Sequence, residues 1–454
     1  MKKKLLLLIG IILLILSPLA AFDGFSEFFD EPVESIAETQ STASTINLDG
    51  SVGFSIEAIR GEDDPFKGQV NVGGGLNIDL SWRGSIVDAR TSFALHPSNA
   101  EFAWYDVFTG LSLTAFYSNG FVEAGLLKKE WGSGDGVHVV DVLNAPDYRN
   151  GIVDDTMAMK MAEAMVGTTT TWGDTTLDIF YKPMLVPMMT AQDPNDKWSL
   201  FPDAYIPLLK PTTVYIGADY EDLAVLTNSQ LATRFKTIVG PADIGLIYYN
   251  GFNYQPYSTI MVDNPSAPTQ ITSITVDFTR AQLFGAEATV VAGPFTLMFE
   301  GGFWLSEDFD GTDPTKYNNK WVYLGGIGYL FSDIGAYASI TYNGQHIVGF
   351  SETSEDADFL QAQQSSNGKP YMNTVTAAVE MPLARERVTI RLGGTYQFET
   401  GGYALLPSVN WQVTDDFVFN ASGRIFGAAG PAAPSIFKTW ENNDSLKLSL
   451  SYLF

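Results

Sequence analysis

Over the last ten residues, Ser445 to Phe454, the chain alternates strictly: Leu446, Leu448, Leu450, Tyr452 and Phe454 share one face, and Ser445, Lys447, Ser449 and Ser451 share the other. A period of two predicts a strand with an apolar medium on one side and water on the other. The first such segment opens at Ile46, where Ile46, Leu48, Val52, Phe54, Ile56 and Ala58 oppose Asn47, Asp49, Ser51, Ser55 and Glu57. About 18 segments of this kind follow one another between 46-60 and 444-454.

Short connections built from Gly, Asn, Asp and Pro, such as Asn119-Gly120, Gly173-Asp174, Gly240-Pro241 and Gly293-Pro294, alternate with mostly longer ones. Tight hairpins need those residue types. The pattern predicts an all-β chain: a transmembrane antiparallel up-and-down β-barrel of about 18 strands, with short turns at one end and long loops at the other. Sixteen strands is the alternative, because the connection Glu399 to Gly402 is short for its side and the strand-like Thr213 to Tyr220 is assigned to a loop.

Parity then assigns faces. In 387-398, Val388, Ile390, Leu392, Tyr396 and Phe398 oppose Arg387, Thr389, Arg391, Thr395 and Gln397. Segment 278-292 breaks the rule, since Gln282 and Glu287 have opposite parity, and a bulge there would restore it. Aromatic residues near segment ends, among them Trp82, Tyr117, Trp321, Phe331, Tyr342, Trp411 and Phe454, fit an interfacial girdle.

The alternating strand ending on Phe454 resembles the C-terminal signature of diderm (Gram-negative) outer-membrane β-barrels of the porin-like type. That resemblance implies that the barrel assembly machinery reads Leu450, Tyr452 and Phe454, and that the surroundings are outer-membrane lipid. The other end agrees: Lys2, Lys3 and Lys4 precede the apolar run Leu5 to Leu16 and then Ser17 to Ala21, so residues 1-21 read as a cleaved signal peptide. Residues 22-45 read as a flexible acidic periplasmic leader, and 46-454 as the barrel.

Composition narrows the classes. Removal of residues 1-21 takes three basic residues and no acidic ones, so the charge falls from -26 to -29, which argues against nucleic acid as a partner. Charged residues make up only 17% of the chain and aromatics 13%, a balance suited to a wall facing lipid. The absence of cysteine excludes lipid attachment through that residue and disulfides.

Catalysis finds little support. His96, His138 and His346 lie in or beside expected loops without the spacing of a zinc motif, and no nucleophile elbow is present. No enzyme activity, metal or cofactor is expected. Gly132, Gly134 and Gly136 read as a turn rather than a phosphate loop. Met157, Met161 and Met165, one helical turn apart after Asp154-Asp155, predict a short helix whose methionines pack rather than bind a soft metal. The acidic runs Glu307 to Asp313 and Glu352 to Asp358 match no calcium-loop spacing and read as solvated charge.

The connection after the fifth strand, 131-163, resembles the third outer loop of porins, which folds into the lumen and narrows it. Val137, Val139, Val140, Val142 and Leu143 give it apolar anchors, and it carries Asp135, Asp141, Asp147, Asp154 and Asp155. Opposite it, parity turns Arg234, Lys236, Arg387, Arg391, Arg424 and Lys447 inward. An acidic loop facing a basic wall would set a transverse field across a wet constriction. The plainer alternative is that these are ordinary lumen charges paired with acids such as Glu57, Glu300 and Glu380.

The expected function is an outer-membrane channel for passive diffusion of ions and small polar solutes, with a cation preference from the acidic excess tempered by the basic wall. One alternative is a surface adhesin or receptor displaying the long acidic loops 187-227, 253-277 and 345-370. The other is a transporter of hydrophobic compounds lined by Phe116, Phe180 and Trp304. Small residues at 325, 336 and 338 would suit a homotrimer contact.

Overall fold

The computed structural model describes residues 45–60, 68–95, 104–153, 155–191, 193–201, 203–217, 222, 225–351, 363, 368–429 and 435–454. The expectations for the signal peptide, for nearly all of the leader, and for His96, Asp154 and the run 352–358 fall outside the described residues.

The strands are β1 (Thr45–Ile59), β2 (Gln69–Arg83), β3 (Val87–Leu95), β4 (Phe108–Tyr117), β5 (Gly120–Leu127), β6 (Glu163–Trp172), β7 (Thr175–Lys182), β8 (Val214–Gly217), β9 (Gln230–Val239), β10 (Ala242–Phe252) and β11 (Tyr257–Val262). They continue as β12 (Ile271–Asp277), β13 (Arg280–Ala292), β14 (Phe295–Ser306), β15 (Lys320–Phe331), β16 (Ala336–Ile347), β17 (Tyr371–Leu383), β18 (Val388–Gln397), β19 (Gly402–Gln412), β20 (Phe417–Ala428) and β21 (Ser445–Leu453). Eighteen of them pair antiparallel, each with its neighbour in sequence, and β21 pairs back onto β1. The barrel is therefore closed at 18 strands, and the sixteen-strand alternative is set aside.

Closure is sewn at the chain end: Gly50 N donates to Phe454 O at 2.8 Å and Phe454 N to Gly50 O at 3.0 Å. With no edge left in the ring, each of the eighteen barrel strands has a hydrogen-bonded partner on both sides, which is what an all-strand wall in hydrocarbon requires. Phe454 and Tyr452 stack at 6.4 Å on the apolar outer face.

The faces obey the alternation. Ile46, Leu48, Val70, Val72, Leu446 and Leu450 are exposed on the outside, a row that only lipid would cover at low cost. Trp82, Trp321, Phe331, Tyr342, Trp411 and Phe454 are likewise exposed near strand ends, where amphipathic rings sit at a membrane interface. Ala336, counted among the small outward residues, is instead buried.

Two local expectations fail. No bulge interrupts β13, whose register with β10 and β14 is continuous. Gln282 simply points outward, where the Tyr248 hydroxyl donates to its Oε1 at 3.1 Å, and that bond reduces the cost of a polar group on the apolar face. The segment assigned to a loop at Thr213 contains β8, which pairs parallel with β12; with β11 they form a separate three-stranded sheet at the loop end of the barrel.

Candidate functional site

The lumen is filled unevenly, because two loop-end connections fold into it. The first, 128–162, carries Val140, Val142 and Leu143, all essentially inaccessible, onto the inner face of the barrel. There they join Phe180 of β7, Ala232 of β9, Ile247 and Tyr249 of β10, Leu283 of β13 and Val322 of β15. Trp131 seals the cluster edge-on to Phe180 at 6.1 Å and under the Arg234 guanidinium at 5.1 Å. Phe180 lies beneath this packing and Trp304 flanks it against Tyr249, so neither lines the open passage. Burying several large apolar groups fixes the loop firmly, at ~1.5–3 kcal/mol each.

Polar latches hold the same loop. Glu300, inward on β14, accepts the backbone amides of Ser133 at 2.7 Å, Gly134 at 2.8 Å and Val139 at 2.7 Å, together with His138 Nδ1 at 3.0 Å. The turn that allows this needs Gly132 and Gly136 at positive φ. At the loop's far end, Lys182 of β7 and Glu163 at the start of β6 form an ion pair at 2.6 Å, both fully buried. Lys182 also donates to Leu143 O, and Glu163 accepts Ala145 N, so the pair grips the loop backbone as well as itself. Asn144 ties both stems, with its amide donating to Leu127 O and Met161 O at 2.8 Å and its carbonyl oxygen accepting Lys129 N.

The expected helix after Asp155 does not form. Asp155 Oδ1 accepts Met157 N and Ala158 N in a tight turn, after which the chain runs extended against 145–147, with Met161 N donating to Ala145 O at 2.9 Å. Met161 and Met165 are buried, and Met165 belongs to β6.

The second inward connection, 183–229, is sewn to the first, Tyr148 N donating to Met189 O at 2.8 Å and Met189 N to Pro146 O at 3.0 Å. It delivers Trp198 to the opposite wall, against Ala404 of β19, Phe426 of β20, Phe437 and Trp440, with Tyr148 and Ile152 of the first loop packed alongside. In the ring of 18, β9 and β20 stand half a circumference apart, so the first loop crosses the lumen. Arg424 of β20 is the tie on the far side. Its guanidinium lies 4.3 Å from the Trp198 ring and bonds Glu57 of β1, Ser445 Oγ at 3.0 Å and the Asn150 carbonyl.

The expected division into acidic loop and basic wall is only partly present. Asp135 accepts Ser339 Oγ at 2.5 Å, Asp141 is ion-paired with Lys160 of its own loop, and Asp147 shares Arg149 with Asp106. On the wall, Arg234 pairs with Asp178 at 2.8 Å and Glu287 at 3.7 Å, Arg391 with Glu380 at 3.3 Å, and Arg424 with Glu57. Lys236 pairs with Asp243 at 2.9 Å and Arg387 with Asp415 at 3.5 Å, both beside turns at the end away from the loops. Those two are no part of a loop-facing wall. Among the described residues no carboxylate lies within ion-pairing distance of Lys447.

Within the loop, charges are tuned by burial and partners. His138 is largely withdrawn from water, which disfavours its charge, yet the hydrogen bond and charge of Glu300, with Asp141 and Glu130, raise its pKa above the usual imidazole value. Burial pushes Asp141 up against the opposing pull of Lys160. Burial works against the Glu130 carboxylate too, but the Thr156 hydroxyl and the Lys160 and His138 charges leave its pKa below the ordinary value.

What remains open is a cavity of about 1180 Å³ between the loops and the wall made by β19 to β21 with β1 and β2. Gly53, Gly73 and Gly75 strip side chains from that wall, and Ser55, Ser449, Ser451, Asn71 and Asn77 line it with polar groups. Among the described residues no group of acids and histidines could hold a metal ion.

No protein-family model matches the chain, and neither does any curated protein. Among solved structures, variants of the porin of Rhodopseudomonas blastica are similar in outline. One variant matches with 12% identity over 90% of this chain and 100% of its own, at a TM-score of 0.40, and a triple mutant matches with 11% identity over the same shares at 0.39.

Proposed function

We propose that the protein is an outer-membrane channel for passive diffusion of ions and small polar solutes, narrowed by the loop 128–162. The observation that carries the reading is the polar cavity of about 1180 Å³ inside a closed barrel whose outer face is apolar. Loop 128–162, crossing from the β9 side to Arg424, is the constriction, and loop 183–229 deepens it. Export through the signal at 1-21, insertion read from Leu450, Tyr452 and Phe454, and assembly as a homotrimer belong to the same reading.

Planar-bilayer recording tests it, comparing the wild type with a deletion of residues 135–160. Current from the wild type and a larger conductance in the deletion are expected. No current sinks the channel, and unchanged conductance sinks the constriction.

A second reading, a surface receptor, draws on the sheet of β8, β11 and β12, where Val214, Tyr215, Ile216 and Met261 are exposed among the long loops. A silent bilayer together with cell binding abolished by exchange of residues 211–217 would favour it.

A further inference from the structure

We propose that the passage prefers anions, with Lys447 as its recognition charge for small carboxylate- or phosphate-bearing solutes, even though the chain as a whole is strongly acidic. The inference rests on the channel reading.

The ionic groups lining the cavity are nearly balanced in number but not in availability. Glu57 is neutralised by Arg424, and Asp106 and Asp147 converge on Arg149. Asp193 and Asp196 keep their charge, each with one oxygen accepting a backbone amide, that of Asn195 at 2.9 Å and of Trp198 at 2.8 Å, but they stand on the inward loop and not on the barrel wall. Lys447 is different. It is exposed to the cavity, and among the described residues it has no carboxylate partner. Lys128 and Lys197 reach only carbonyl oxygens, those of Met157 at 3.5 Å and Arg60 at 3.2 Å.

Around Lys447 the wall offers hydroxyls. Ser449 and Ser451 continue its face of β21 and Ser422 stands opposite it on β20; on β1 its register partner is Glu57, whose carboxylate is drawn to Arg424, with Ser55 next along the same face. An ammonium with donor hydroxyls beside it suits a carboxylate or phosphate oxygen, which accepts from both. A cation entering there finds hydroxyl lone pairs but no free carboxylate on that stretch of wall.

The net charge of the chain, -26 in full and -29 without residues 1-21, acts at a different range. Charge in the loops and at the mouths is felt through water and fades over a Debye length, roughly 30 Å at 0.01 M salt and about 3 Å at 1 M. A group met in the passage acts at contact and is screened less. Selectivity should therefore depend on salt: anion preference in concentrated salt, drifting toward cations in dilute salt.

Zero-current potentials in KCl gradients test this, one gradient set near ~1 M and another near ~0.01 M. The wild type is expected to favour chloride at the high pair and to shift toward potassium at the low pair. Citrate added to the concentrated solution is expected to block current, and Lys447→Met to weaken that block about tenfold, which corresponds to ~1.4 kcal/mol. Lys447→Glu should turn the high-salt preference to potassium, while Lys447→Arg keeps chloride. Potassium preference of the wild type at both gradients overturns the proposal, as does citrate block unchanged in Lys447→Met, and either leaves the channel intact. The wild-type measurements need no variant to fold. Absence of current overturns the channel reading itself.

Discussion

Glu300 of β14 and His138 of the inner loop meet at 3.0 Å, carboxylate oxygen to Nδ1, and the same carboxylate gathers the amides of Ser133, Gly134 and Val139. A charged acceptor shared by several donors is a strong anchor, each such bond contributing ~1.5–3 kcal/mol. Glu300→Ala should therefore release the first turn of the loop while leaving the backbone pairing of β14 with β13 and β15 in place. The expected result is a larger, noisier conductance and faster protease cleavage within 131–140, with Glu300→Gln intermediate. A Glu300→Ala channel as quiet and as narrow as the wild type would refute the anchor.

The His138 pKa, raised by Glu300, makes that anchor pH-dependent in a definite direction. A proton held more tightly in the folded loop than in the released one stabilises the loop fully below the ordinary imidazole value of ~6.5, and that contribution is lost as pH rises through the higher folded value. Glu130, held below the ordinary carboxylate value, adds stability above its unfolded pKa that disappears in acid. Loop noise should be lowest between these limits and rise on the alkaline side. Recording across that range should show the alkaline rise in the wild type and none in His138→Gln. A rise that persists in the variant would assign it to another group.

Alternation made the barrel legible because lipid on one side and water on the other impose a period of two on each strand, and the turn residues mark where strands stop. The failures have a common cause. Gln282 is tolerated outward because Tyr248, on the next strand, supplies a hydroxyl, and parity within one segment cannot register a partner on another. The methionine spacing suggested a helix, but Met159 and Met161 exchange their backbone hydrogen bonds with Asp147 and Ala145 of the same loop, and extended chain serves that better. Trp198, Leu200 and Phe201 in a supposedly solvent-facing loop were a readable hint of the second inward connection. Its destination was not readable, since Phe426 and Trp440 lie more than two hundred residues further along the chain. Which charges remain free was equally hidden: parity placed Arg391, Arg424 and Lys447 on the lumen side alike, and only the pairing across strands singles out Lys447.

Lys182 and Glu163 form a buried pair, so removing one partner should cost more than removing both. Lys182→Met leaves Glu163 charged and enclosed, a loss of ~3–5 kcal/mol by the usual penalty for an orphaned buried charge. The double substitution Lys182→Met with Glu163→Leu should recover much of that, though not all, because Leu143 O, the Tyr254 hydroxyl and Ala145 N lose partners as well. Thermal unfolding of the three variants measures the coupling. Single and double losses that simply add would show that the two charges do not depend on each other.

Trp198 should control the second inward loop through its contact with Arg424. Its ring meets Trp440 at 5.4 Å and Phe426 at 6.0 Å, both edge-on, and carries the guanidinium on its face. Truncation of so enclosed an aromatic costs ~3–5 kcal/mol, more than the remaining contacts of 193–201 readily replace. Trp198→Ala is expected to free that segment and raise conductance, whereas Trp198→Phe keeps most of the packing and stays close to the wild type. Tyr148 and Ile152 of the first loop belong to the same cluster, so deletion of 135–160 already removes part of the Trp198 seat. Residues sharing partners do not add independently. Trp198→Ala introduced into the deletion should therefore increase conductance by a smaller factor than it does in the intact chain. Equal factors in the two backgrounds would mean that the loops narrow the lumen separately.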